Sequence, residues 1–226
     1  MTDSPASLVV IGAGGHAAEV CSYVQTMVAA GERVTLLGCV DDRRPAGHYG
    51  SLTVLGGFDV LEQFVSAATR PLWCITAIGD NAARHRMVAR VDAIGGDRIV
   101  WWTLRHPAAF VGPDVEIGPG TCLAPGSIVT TRARIGAHVI VNVRASVSHD
   151  VEIGEYVNLN PGAILAGNTR VAEGCFIGAG STVIDRISIG AWTVVGAGAA
   201  VVRDLPDHVT AVGVPARVIK THNRTS

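Results

Sequence analysis

Aromatic residues are scarce in this sequence, with four Phe, four Trp and three Tyr in 226 positions. Any core must therefore be assembled from aliphatic side chains, which supply most of the 48% hydrophobic content. There is no excess of charge of either sign: 18 basic residues face 19 acidic ones. No basic run is dense enough to follow a phosphate backbone, which argues against nucleic acid as a partner. Glycines and polar residues interrupt every apolar stretch before it reaches the ~18 residues a membrane span needs. The opening residues carry neither a basic segment nor the apolar core of a cleavable leader. The five cysteines (Cys21, Cys39, Cys74, Cys122, Cys175) are odd in number and lack metal-ligand spacing. They read as small core residues in a reducing compartment. A cytoplasmic protein with no metal and no membrane span is expected.

Glycine, by contrast, is abundant at 27 residues, and it is organised by two different periods. In residues 1–106, short apolar runs at Leu8–Ile11, Val34–Val40 and Leu72–Ile78 alternate with helical stretches from the Gly12 turn to about Ala29 and from Ala82 to Ile94. Strand, glycine turn, helix and strand in that order specify a parallel, Rossmann-like α/β sheet. Ligands of such sheets sit at the carboxyl ends of the strands. The turn Gly12-Ala13-Gly14-Gly15-His16-Ala17 lets the backbone approach a phosphate at a helix N-terminus. It also fits a dinucleotide fingerprint, with Asp41 closing the second strand. About 100 residues hold only one mononucleotide-binding half, however, which favours a nucleoside-diphosphate sugar over NAD. The backbone of Gly12, Gly14, Gly15 and Gly79, with Asp41, Asp42, Asn81 and Arg84, are the candidate contacts. Asp41-Asp42 also reads as a solvated turn, and His16 either faces the ligand or caps its helix.

After Pro107 the period becomes six. Every sixth residue from Val111 to Val201 is Val, Ile or Leu, sixteen in succession without an insertion. Four positions after each comes a small or aliphatic residue such as Thr121, Ala133, Ala163 or Ser181, and glycine often follows the aliphatic one directly. This is the hexapeptide repeat of a parallel β-helix, in which each hexad gives one short strand and one corner and three hexads make a coil. Simple strand alternation has period two and cannot produce it. The expected domains are 1–106, a β-helix over 107–205 and a cap over 206–226.

Coil stacking sets residues 18 apart above one another at about 4.8 Å. One corner then carries the column Pro113, Thr131, His149, Gly167, Asp185, Arg203, flanked by Asp114, Arg132, Asp150, Asn168, Arg186, Asp204. Only one histidine stands there, next to a carboxylate, and Gly167 one coil away leaves its ring uncovered with a backbone N–H beside it. Those are the parts acyl transfer requires: a base and an oxyanion donor. A solvated turn histidine is the plain alternative. His138 lacks such neighbours and reads as structural.

The segment Val147-Ser148-His149-Asp150-Val151-Glu152-Ile153-Gly154, with Leu159-Asn160-Pro161-Gly162-Ala163 and Ala166-Gly167-Asn168, resembles the sialic-acid O-acetyltransferase and UDP-4-amino-sugar N-acetyltransferase family of hexapeptide-repeat acyltransferases. The Gly12–Ala17 turn, Val40-Asp41-Asp42, Ile78-Gly79-Asp80-Asn81 and the closing Gly213-Val214-Pro215-Ala216-Arg217 match it in order. The resemblance implies a left-handed β-helix that forms a homotrimer with active sites between subunits, although general crossover rules favour right-handed connections. It implies acetyl-CoA as cosubstrate, a nucleotide-linked amino sugar as acceptor and a place in bacterial glycan assembly. His149 would be the general base, Asp150 its orienting partner and the Gly167 N–H the oxyanion donor. Asn142 would meet the sugar, and Ala179, Gly196 and Ala197 the coenzyme on an adjoining subunit. Asn158 stands where several relatives carry a second histidine. Asn donates a hydrogen bond but does not take up and release a proton as histidine does, so at this position the chain departs from the family pattern.

These readings leave three rivals. O-acetylation of sialic acid or another glycan hydroxyl needs the same base and oxyanion donor as N-acetylation. A non-catalytic β-helix scaffold that senses a nucleotide would consume no acetyl-CoA. Zinc-dependent carbonic anhydrase chemistry needs converging histidines, and here the histidines lie far apart in sequence.

Overall fold

Each apolar run of the first hundred residues becomes a strand, and each glycine turn hands the chain to a helix. The computed structural model describes residues 4–222, and the chain divides into two compact units between His106 and Pro107. In the first unit the order is β1 (Ala6–Ile11), α1 (Gly15–Ala29), β2 (Val34–Val40), β3 (Gly47–Tyr49), β4 (Leu52–Gly56), α2 (Phe58–Ala67), β5 (Leu72–Thr76), α3 (Asn81–Gly95) and β6 (Ile99–Trp101). They form one sheet in the order β3-β4-β2-β1-β5-β6, parallel except where β3 pairs with β4. β1 lies between β2 and β5, with Ile11 opposite both Val40 and Thr76. The chain runs from β1 to β2 and β4 on one side and then crosses back through α2 to β5 on the other side of β1, so a crevice opens at the carboxyl ends of the three strands. Val9, Ile11, Val40, Leu61, Cys74 and Val91 are all but fully buried and tie the sheet to α2 and α3. Asp80 caps α3, its Oδ1 accepting from Ala83 N at 2.7 Å, whereas α1 has Gly14 at its N-cap, with no side-chain cap and no acidic residue in its first turn.

The second unit is a left-handed parallel β-helix. Strands pair in parallel with those one coil away, as in Ile128 opposite Ser146 and Ser146 opposite Ile164, which is the 18-residue step of the repeat. The inward aliphatics from Leu123 to Val201 are buried in one continuous cluster, with Val111 and Ile117 packed at its open end. Small residues four positions on, among them Thr121, Ala133, Ala145, Ala163 and Ser181, are buried with them. Two of the buried hydroxyls donate to nearby carbonyls, Thr121 Oγ1 to Gly136 O at 2.9 Å and Ser181 Oγ to Gly178 O at 2.7 Å. Coils approach so closely at one corner that a methyl on Gly154 would lie 2.6 Å from Glu173 N. Each corner also turns through a left-handed residue. Asp114, Arg132, Asp150, Asn168 and Arg186 take φ between 51° and 60° at one of them, a conformation that Asp and Asn tolerate best. The strand Val209–Val212 adds to one side in parallel, and Arg217–Thr221 closes it antiparallel.

The three sides of the prism differ. One presents Glu116, Arg134, Glu152 and Arg170 to solvent, with Glu116–Arg134 and Glu152–Arg170 pairs at 3.5 Å. Another presents Phe110, Ile128, Ser146, Ile164, Thr182 and Ala200 in register. There Phe110 is 58% exposed and Ile128 and Ile164 are each 42% exposed. Among the described residues no helix is long and apolar enough to cross a membrane.

Candidate active site

The chemistry-bearing residues fall in two places, one in each unit. In the β-helix, hydrogen bonding between coils uses the amides on both sides of the third hexad position but not the amide at that position. Ser148 N donates to Leu165 O and Asp150 N to Thr131 O, while His149 N donates to neither coil. Four such positions are prolines, Pro113, Pro119, Pro125 and Pro161, which lack an N–H and lose nothing there. Gly167 holds the same position, and among the described residues its N–H has no acceptor. A donor is thus held on a rigid corner, free for a ligand.

His149 lies directly against it. A methyl built on Gly167 would come 2.5 Å from His149 Cε1 and 2.7 Å from Nε2, so only glycine leaves the ring this seat. The opposite edge of the imidazole is held by its sequence neighbour, with Nδ1 2.8 Å from Asp150 Oδ2. A ring that donates from Nδ1 to a carboxylate keeps its lone pair on Nε2, where it can accept a proton. Asp150 is itself gripped by Arg132 from the preceding coil, Nε donating to Oδ1 at 2.7 Å and Nη2 to Oδ2 at 2.8 Å. The Arg132 guanidinium, followed by His149, holds the Asp150 carboxyl well below the usual carboxylate range. The 18-residue column puts Arg132 beside Asp150, and the fork is a matter of where the long side chain points.

His138 is buried and stacked on Tyr156 with ring centroids 5.2 Å apart, as a structural residue would be. Asn142, Ala179, Gly196 and Ala197 do not join His149. They lie at a different corner of the prism, where Asn142 Oδ1 accepts from Val143 N at 2.7 Å. Asn158 is on neither corner. It sits on a side of the prism, buried between Ile140 and Phe176.

In the first unit a cavity of about 650 Å³ opens at the carboxyl ends of β1, β2 and β5. Its lining includes Gly12, Gly14, Gly15, His16, Asp41, Asp42 and Gly79, as the glycine turn and strand ends predict. The uncapped first turn of α1 faces an anion's usual seat. His16 Nδ1 bonds Glu19 Oε2 at 2.9 Å, and its Nε2 is buried without a hydrogen-bond partner. Both aspartates are already engaged. Asp41 accepts from Ala13 N and Arg43 N, each at 2.8 Å, and so fastens the glycine turn to the end of β2. Asp42 accepts from Phe58 N at 3.0 Å and from Arg90 Nη1 at 2.5 Å.

Two expected contacts are not at the cavity. Asn81 and Arg84 share the buried stripe of α3 with Val88 and Val91. Arg84 is fully buried and donates to Ile78 O at 2.8 Å, bracing the turn after β5. The cavity face of α3 carries Ala83, Arg86, Met87 and Arg90 instead, and the Arg90 guanidinium stacks 3.9 Å from the Phe58 ring centroid. Among the described residues no cluster of three or more His, Cys, Asp or Glu could hold a metal ion.

Known proteins resemble this chain over both units. The family model described as the PglD N-terminal domain matches residues 7–91. No curated protein sequence matches the chain. Among solved structures, a histidine-to-asparagine variant of perosamine N-acetyltransferase from Caulobacter crescentus, in complex with CoA and GDP-perosamine, is 34% identical, with 95% of this chain and 97% of that one covered and a TM-score of 0.85. The acetyltransferase domain of PglB from Neisseria gonorrhoeae FA1090, in complex with acetyl coenzyme A, is 32% identical, with 96% and 100% covered and a TM-score of 0.84. WeeI from Acinetobacter baumannii AYE is 27% identical, with 94% and 99% covered and a TM-score of 0.83. An identity of this order, running through both units of the relatives, makes this chain a member of the hexapeptide-repeat sugar acetyltransferases.

Proposed function

We propose that this protein transfers the acetyl group of acetyl-CoA to the amino group of a nucleotide-linked amino sugar, of the 4-amino-4,6-dideoxy type. The observation that carries the chemistry is the seating of His149: Nδ1 on Asp150, one face on Gly167, and an unpaired Gly167 N–H alongside. His149 Nε2 takes the proton as the amine attacks the thioester carbonyl. The Gly167 N–H donates to the oxygen that gains charge, and the imidazolium returns a proton to the departing thiolate. Among the described residues no serine or cysteine is paired with His149, and transfer is direct, without an acyl-enzyme.

The acceptor class is supported by the first unit and by the relatives. The α1 N-terminus, with no cap of its own, suits a diphosphate, and Arg86 and Arg90 take the role that the sequence assigned to Arg84. The Caulobacter crescentus relative holds both CoA and GDP-perosamine. The roles of Asn142, Ala179, Gly196 and Ala197 require a second copy, because they occupy another corner than His149. The exposed apolar side carrying Phe110, Ile128 and Ile164 borders the His149 corner and supplies a surface for that copy. A homotrimer with shared sites is the assembly we infer, in the cytoplasm, where five free buried cysteines stay reduced.

The deciding experiment incubates the protein with acetyl-CoA and a panel of UDP-, GDP- and dTDP-linked amino sugars, GDP-perosamine among them, reading free thiol and product mass. A gain of one acetyl group on one acceptor is expected. Acetylation of a sialic acid or glycan hydroxyl alone would replace this reading, and no thiol release with any acceptor would overturn it. Light scattering should give three times the chain mass.

A further inference from the structure

The contact of Arg132 with Asp150 has no part in the fold that a simpler residue would not fill. Both side chains are substantially exposed, at 57% and 34%. They stand at a corner where neighbouring coils are already bonded through the backbone, Asp150 N donating to Thr131 O. Yet the guanidinium meets both oxygens of one carboxylate, and the oxygen that takes Nη2 is also the one that holds His149 Nδ1. A fork of this kind fixes the plane of a carboxylate, which a lysine or a lone hydrogen bond does not.

We propose that Arg132 is a positioning residue for acyl transfer: by gripping Asp150 it fixes the His149 imidazole over Gly167 and offsets the negative charge beside that ring. This rests on the reading of His149 as the base. Orientation comes from the relay Arg132–Asp150–His149, whose three contacts lie between 2.7 and 2.8 Å. The charge argument is separate. An isolated carboxylate on Nδ1 stabilises the imidazolium, which cannot accept a proton from the amine. A carboxylate neutralised by Arg132 orients the ring without that penalty.

The other charged groups near this corner leave Arg132 as the cation on Asp150. Asp114 is one coil beyond Arg132 and acts on Arg132. Asp185 and Arg186, two coils past His149, pair with each other at 3.5 Å. On the adjoining strand Glu152 is paired with Arg170. Thr131 and Gly167, which flank His149 in its column, carry no charge.

The test is the pH dependence of kcat/KM for Arg132→Met and Arg132→Lys, measured with acetyl-CoA and the best acceptor of the panel, with His149→Ala in parallel. Arg132→Met should move the acid limb upward by about half a pH unit or more and lower the plateau roughly three- to tenfold. Arg132→Lys should return the limb to its original pH but leave the plateau low, because an ammonium offsets charge without fixing the carboxylate plane. A merely structural arginine would lower the melting temperature and the plateau while leaving the limb in place, and that result overturns the proposal, as does a limb that moves down. If Arg132→Met does not fold, Arg132→Lys decides by plateau and melting temperature together. A lowered plateau at an unchanged melting temperature supports the proposal, whereas a wild-type plateau, or a plateau that falls together with the melting temperature, overturns it. His149→Ala separates the two levels. Full activity in that variant removes the base itself, whereas an inactive His149→Ala beside an unmoved Arg132→Met limb removes only the role of Arg132.

Discussion

Gly167 and His149, 18 residues apart, are in van der Waals contact one coil from each other, and the space a methyl would need at Gly167 is filled by the imidazole. The φ of Gly167 lies outside the left-handed region, so alanine can take up the same backbone conformation. The consequence of Gly167→Ala is therefore a displaced ring. Turnover should fall about a hundredfold, the cost of moving a reacting group by about an ångström. The melting temperature should change little. Steady-state kinetics and thermal unfolding on the same preparation check both statements, and a variant with normal kcat would show that the ring is free to move without consequence.

Removing the imidazole is the harsher form of the same test. His149→Ala should lower turnover by two to four orders of magnitude, the usual contribution of a positioned base. His149 is exposed on a corner and takes no part in the core, so the assembly measured by light scattering should be unaltered. Gly167 still offers its N–H in that variant, and residual thiol release above the uncatalysed rate is expected.

Asp150 gives a prediction about pH. Its carboxyl is held down by Arg132 and then His149, so it ionises more readily in the folded chain than in the unfolded one. Its contribution to stability is complete above the ordinary carboxylate range and is lost as pH falls through the depressed folded value. The difference in unfolding midpoint between wild type and Asp150→Asn should thus persist at neutral pH and disappear only in acid, below the ordinary carboxylate range. Because the side chain is accessible to solvent the difference should be small and should shrink further in high salt. A difference that grows with pH across the neutral range would mean that another group is responsible.

In the β-helix the expected stability effects are larger. Leu165 is fully buried and opposite Val147 and Val183 in the stacked core. Leu165→Ala should cost about 2–5 kcal/mol, as removal of a buried leucine does where neighbours cannot close the gap. Parallel strands above and below fix the coil spacing, and this hinders collapse into the cavity. Denaturant unfolding monitored through the far-UV signal measures the loss.

How much of this was legible in the sequence depended on period. A hexad repeated without insertion turns residue number directly into position, so the His149 column, its Gly167 neighbour and the identity of Arg132 as the residue next to Asp150 all follow from counting in eighteens. What counting does not give is where a long side chain points, and so the fork of Arg132 on Asp150 appears only in the structure. The first unit was less readable. Its strands and glycine turn announce a nucleotide crevice, but α3 carries a weak apolar pattern in which arginines fall on every side. The sequence offered Arg84 as the contact because it lies nearest the strand end. The structure sets Arg84 on the stripe of Val88 and Val91 and turns Arg86 and Arg90 to the cavity. The two aspartates illustrate a second limit: side chains with a ligand-like look can be spent on the backbone, here on Ala13, Arg43 and Phe58.

The two arginines of α3 therefore separate binding from folding. Arg86 lines the cavity, and a cation there meets the diphosphate of a nucleotide sugar in the proposed reading. Arg86→Ala should raise KM for the sugar nucleotide about tenfold or more, the value of one charge-assisted hydrogen bond, with KM for acetyl-CoA and thermal stability unchanged. Arg84 is sealed in the core and bonds Ile78 O. Arg84→Ala should destabilise the first unit by at least about 1–3 kcal/mol, because a buried carbonyl loses its donor. Any loss of activity should then track the fraction unfolded and recover on cooling. The opposite pattern, with binding lost at Arg84 and stability lost at Arg86, would mean that the phase of α3 differs from the one described. It would return the cationic contact to the residue the sequence first suggested.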